Sequence, residues 1–101
     1  VKNINIDHDG EYEALAVAII HQAAYDWLVV KTWLARNPYN ENLNTWKRKI
    51  WFNRTREAER IEEFFHSEYY RTLTNLPADV LMKKLNKVLR EGLQKCEQRN
   101  I

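Results

Sequence analysis

An all-α fold is what this sequence predicts: a compact bundle of two long helices, one short helix and a C-terminal helix, preceded by an irregular N-terminal arm. Three observations predict it. Apolar residues recur at helical spacing through most of the chain. Only two glycines and two prolines punctuate 101 residues, too few for the turns of a strand-rich architecture. Hydrophobic residues make up 45% and charged residues 30%, a balance that buries a core and excludes disorder. A chain of this length forms one domain, hiding roughly 60 to 70% of its unfolded surface.

Taken in order, residues 1–9 alternate weakly through Val1, Ile4 and Ile6 and read as an arm laid over the helices or left mobile, a strand being the lesser alternative, with Asp9-Gly10 as a helix entry. The first helix spans residues 10–36. Tyr12, Ala16, Ile19, Ile20, Ala23, Trp27, Val30 and Leu34 share its inner face, and Val17, Ala24, Leu28 and Ala35 widen that face. Asn37 before Pro38 ends it. Residues 37–44, NPYNENLN, are the connector. The second helix spans residues 45–66, either unbroken or with a break near Asn53, and Thr45 is its cap; Trp46, Ile50, Ala58, Ile61 and Phe65 share a face on which Lys47 and Arg54 intrude. Ser67 is placed to cap a short helix over residues 67–74. Pro77 opens the last helix, residues 77–97, with Asp79 among its free N–H groups. Leu81, Leu85, Val88, Leu89 and Cys96 turn inward there, and Gly92 invites a close helix approach.

A lone cysteine, Cys96, provides no disulfide framework, which points to a reducing, cytoplasmic setting. No uninterrupted apolar run reaches the ~18 to 20 residues of a membrane span, so no membrane partner is expected. Net charge is +2, but the charge is unevenly placed. Up to Asn44 acids outnumber bases six to three, whereas residues 45–56 carry five bases (Lys47, Arg48, Lys49, Arg54, Arg56) and no acid. On the last helix Lys83, Lys87 and Arg90 form a second basic face.

The pattern Gln22-Ala23-Ala24-Tyr25-Asp26-Trp27, then Phe64-Phe65-His66-Ser67-Glu68-Tyr69-Tyr70 with Leu73-Thr74, then Leu81 and Leu85, resembles small uncharacterised proteins of phages, prophages and conjugative elements of Gram-positive bacteria. Those read as a Q-A-x-x-D-Y helix followed by F-F-R-S-E-W-[FY]-x-x-L-T and a leucine-rich helix. His66 replaces the arginine, Tyr69 the tryptophan and Trp27 the tyrosine, and Leu76-Pro77-Ala78 replaces an aspartate-glycine turn. The basic segment is peculiar to this chain. The resemblance implies a mobile-element origin and a cytoplasmic setting, with Gln22, Asp26, Phe64, Phe65 and Ser67 as structural motif residues. It brings no activity with it.

Catalytic chemistry finds no footing in the residues. Ser67 is accounted for as a cap, and two isolated glycines do not make a phosphate loop. Glu63 and His66 form a single E-x-x-H step on the polar side of the second helix, where a metal centre needs three or four converging ligands. No catalytic residue, cofactor or metal is expected. Positive charge interleaved with aromatics is another matter, since it serves backbone tracking and base stacking on nucleic acid, or docking on an acidic protein surface. The candidate binding residues are Trp46, Lys47, Arg48, Lys49, Trp51, Phe52, Arg54 and Arg56, with Lys83, Lys87 and Arg90. The expected role is a non-enzymatic accessory protein that binds a host or phage protein; DNA or RNA binding is the alternative.

Three structural expectations complete the reading. The core consists of Ile20, Ala23, Trp27, Val30, Ile61, Phe65, Leu81, Leu85 and Val88. Asp26 pairs with Arg54 across the two long helices. Leu15, Trp27, Val29 and Trp33 leave more apolar surface on the first helix than its neighbours cover, which predicts a homodimer.

Overall fold

The computed structural model describes the backbone of residues 2–99 and the side chains of residues 10–95. It is all-helical as predicted, in the order α1 (Lys2–Arg36), α2 (Thr45–Phe65), α3 (Glu68–Leu73) and α4 (Ala78–Arg99). α1 is the spine, and each of the other three helices packs against it. Its 35 residues make a rod of about 50 Å, which accounts for an outline of 62 × 32 × 20 Å.

The N-terminal arm is corrected at the level of the backbone, because α1 runs without interruption from Lys2 through Asp9-Gly10. No proline stands in this stretch, and one glycine in a helix costs only about 1 kcal/mol, so nothing breaks the hydrogen-bond ladder. Tyr12 fastens the first described turns, its hydroxyl donating to the Thr72 carbonyl at 3.1 Å.

The core gathers where α1, α2, α3 and α4 meet. Trp27, Phe65, Tyr70 and Leu85 are its buried centre, with Ile20, Ala23, Ala24, Leu28, Ile61, Phe64, Leu81, Met82 and Leu89 packed around them. Trp27 is only 1% exposed, and its indole N–H donates to a Glu62 carboxylate oxygen at 2.9 Å. Val30 is also buried, beside the connector side of this cluster. Val88 is 50% exposed, against expectation. The inward stripe of α4 follows the four-residue row Leu81, Leu85, Leu89, and Val88 lies about 60° around the helix from Leu85. Cys96 falls outside the described side chains. Gly92 is open, with nothing among the described residues within 4 Å of where a Cβ would stand, so the close helix approach expected there is not seen among them.

Helix ends follow local chemistry. Asn44 rather than Thr45 caps α2, its side-chain oxygen accepting from Lys47 N–H at 2.8 Å. Ser67 caps α3 as predicted, accepting from Tyr70 N–H at 3.2 Å. Pro77 sits one position before α4 and its carbonyl accepts the first bond of that helix, from Leu81 N–H at 3.2 Å.

The antiparallel register of α1 and α2 is set by Trp27 facing Glu62 and Trp33 facing Arg54. That register rules out the Asp26 to Arg54 pair, since Arg54 lies nearly two turns along α1 from Asp26. Asp26 accepts from Gln22 Nε2 at 2.9 Å, and the base across from it, in the same shallow groove, is Arg60. Arg54 lays its guanidinium over the Trp33 ring, 5.7 Å from the centroid, and pairs with Glu57 at 3.5 Å. An arginine on an apolar stripe thus covers a ring with its flat face and keeps its charge in water.

Candidate binding surface at the connector end

The connector is shaped by its asparagines. Asn37 N–H continues the α1 ladder to the Trp33 carbonyl at 2.9 Å, and the Asn37 side chain donates to the same oxygen. Asn40 builds the turn: its side-chain oxygen accepts from Asn42 N–H at 2.9 Å and its carbonyl from Leu43 N–H at 3.1 Å. Arg48 reaches back from α2 to donate to the Glu41 carbonyl at 2.6 Å. The result is a fixed bend that lowers Tyr39 onto α2, where it forms an aromatic cluster with Trp51 (5.1 Å between centroids) and Phe52 (6.0 Å). Trp51 and Phe52 are themselves edge to face at 5.4 Å.

Between this bend, the end of α1 and the first turns of α2 lies a groove of about 520 Å³. Its lining joins apolar Trp33, Leu43, Ile50 and Trp51 to the cations Arg36 and Lys47, and includes no acid. The Trp51 indole N–H is buried without an acceptor. Outside the groove, Trp46 stands 70% exposed in the first turn of α2 rather than on the inner face predicted for it. The reason is rotational: the buried stripe of α2 is centred on Ala58 and Phe65, and Trp46 falls at its flank beyond the reach of α1.

The predicted binding residues therefore divide. Lys47 and Trp51 are brought together in the groove, while Trp46, Arg48, Lys49, Phe52, Arg54 and Arg56 are exposed around it on α2. Lys83, Lys87 and Arg90 are exposed on α4 and do not line the groove. Trp33, Arg36 and Leu43 are walls that sequence reasoning missed. Their signal was position, since each lies within five residues of the Asn37-Pro38 break that turns the chain back on itself.

Elsewhere Glu63 and His66 are exposed, and with Glu59 and Glu62 they line a shallow open depression. Among the described residues no three His, Cys, Asp or Glu side chains are grouped to hold a metal ion. A second open cleft, of about 400 Å³, lies at the α3–α4 joint between His66, Tyr70, Arg71, Thr74 and Asp79. The Tyr70 hydroxyl is buried without a hydrogen-bond partner, and desolvation holds its pKa above the ordinary value of 10.0.

One further surface was only half legible. Gly10–Arg36 is, by length and composition, long and apolar enough to cross a membrane, although Asp26 and His21 interrupt it as a run of letters. Only 17% of its most apolar window is buried in the molecule. Leu15, Val17, Tyr25 and Val29 are exposed along it; Trp33 is half-buried, and Trp27, also expected to extend this surface, is wholly inside.

No family model, no curated protein and no solved structure matches this chain.

Proposed function

We propose that this chain is a non-catalytic accessory protein of the phage or prophage type, working in the cytoplasm of its bacterial host by association. It binds a host or phage protein and pairs with a second copy of itself. The observation that carries this reading is the outward side of α1. From Ala14 to Val30 the only formal charge is Asp26, and Tyr25, the largest side chain on the outward side, is 63% exposed. Leu15, Val17, Tyr25 and Val29 stand exposed there with His21 and Gln22 as the polar positions among them; so much apolar surface on one helix is uncommon on a monomer, and a twofold contact, in which the same face serves both partners, is its simplest cover. Ser67, the one serine, is engaged as a cap, which supports a role without nucleophilic chemistry.

Sedimentation equilibrium at micromolar concentration tests the pairing. The wild-type chain is expected at dimer mass and Tyr25→Lys, altered on the exposed face, at monomer mass with unchanged helicity. A wild-type chain at monomer mass would remove it.

A second reading, nucleic-acid binding, is favoured by the exposed Trp46 and Phe52 among Lys47, Lys49 and Arg56. Affinity capture from host lysate with and without nuclease separates the two, because a nucleic-acid-borne partner disappears on digestion. A steep fall of affinity with salt accompanies the second reading.

A further inference from the structure

We propose that the groove at the connector end receives an acidic segment of the partner protein, anchored by one apolar side chain. The inference rests on the protein-binding reading above and names the partner's chemistry. Charge complementarity and shape both point to such a ligand. Arg36 and Lys47 are the charged residues of the lining, and residues 45–56 add four further bases and no acid around its α2 side. A partner segment carrying carboxylates would be drawn to this end and a basic one repelled. Trp33, Leu43, Ile50 and Trp51 give the same groove an apolar lining, where a leucine or phenylalanine side chain would be held out of water beside the cations.

Geometry favours peptide over nucleic acid. Within the groove Trp51 packs edge to face with Tyr39 and Phe52, and the Arg54 guanidinium lies over the Trp33 ring. The rings most exposed for base stacking, Trp46 and Phe52, lie outside the groove lining, whereas Trp33, Leu43, Ile50 and Trp51 within it suit one apolar anchor.

The test uses the full chain and three probes: a blocked hexapeptide of sequence Glu-Glu-Leu-Phe-Asp-Glu, the same peptide with every acid replaced by its amide, and a six-nucleotide thymidine oligomer. Binding is followed through the four indole N–H resonances and by titration. The acidic peptide is expected to shift the Trp33 and Trp51 signals, to bind at least fivefold more tightly than the amide peptide, and to lose about fivefold affinity in Lys47→Gln. Lys84→Gln, exposed on α4 and away from the groove, leaves that affinity unchanged. Equal binding of the two peptides overturns the proposal, as does indifference to Lys47→Gln. Tighter binding of the oligonucleotide, weakened by Arg56→Gln, overturns it in favour of nucleic acid. If no peptide binds while the chain still sediments as a dimer through α1, the groove proposal alone falls and the association reading stands.

Discussion

Replacing Phe65 with alanine strikes the point where all four helices meet. Phe65 is 1% exposed, with ring contacts to Phe64 at 5.6 Å and to Tyr70 at 5.8 Å. Truncation removes a ring that is buried among four helices, with the open α3–α4 cleft bordering it on one side, so the lost transfer energy is joined by a cavity that the surroundings refill only in part. Buried phenylalanine to alanine changes cost about 3 to 5 kcal/mol, and a domain of this size loses roughly 4 to 8 °C of Tm per kcal/mol. The expected fall is therefore at least ~12 °C. Thermal unfolding followed by circular dichroism at fixed protein concentration measures it, since a self-associating chain has a concentration-dependent Tm. Val88→Ala is the internal control, expected to stay within about 0.5 kcal/mol because that side chain is half in water. A Phe65→Ala variant that melts within a few degrees of wild type, or a Val88→Ala variant that melts as early as Phe65→Ala, would refute the placement of the core.

Tyr70→Phe should be neutral or stabilising at pH 7, since it removes a buried hydroxyl that has no partner. It should also flatten the alkaline limb of stability. The buried phenol keeps its proton above the ordinary value of 10.0 while the unfolded chain gives it up there, so the wild type loses stability as pH rises past 10 and Tyr70→Phe loses less. Denaturant unfolding between pH 8 and 11 checks both. Asn44→Ala should cost about 1 kcal/mol through loss of the α2 cap, and Thr45→Ala much less, which urea titration of the two variants distinguishes.

How far such detail was legible in the sequence depended on whether it was local. The break at Asn37-Pro38, the Ser67 cap and the inward placement of Trp27, Phe65 and Leu85 rest on neighbours one to four residues away, and the structure agrees with them. Register between helices is not local. Asp26 and Arg54 each looked suited to the other, but the Trp27 to Glu62 hydrogen bond and the Arg54 contact with Trp33 show that α2 is slid so that they miss. The groove was legible by half for the same reason. Lys47 and Trp51 lie in the conspicuous basic run, whereas Trp33, Arg36 and Leu43 enter only because the connector doubles back. Tyr70 adds a different lesson. Spacing cannot tell it from Tyr69, which is 54% exposed, because the two neighbours on a one-and-a-half-turn helix are sorted by where that helix docks.

The Tyr39, Trp51 and Phe52 cluster has a kinetic consequence. It holds the connector end through a few ring edges, while Trp27, Phe65, Tyr70 and Leu85 hold the other end of α2 through a shared interior. Contacts of such unequal depth divide one helix into segments that open at different free energies. Amide protons of residues 48–52 should exchange with deuterium through local openings, and those of residues 61–65 only when the whole domain unfolds. A ligand entering at the connector therefore has a segment that can adjust around it without disturbing the centre of the protein.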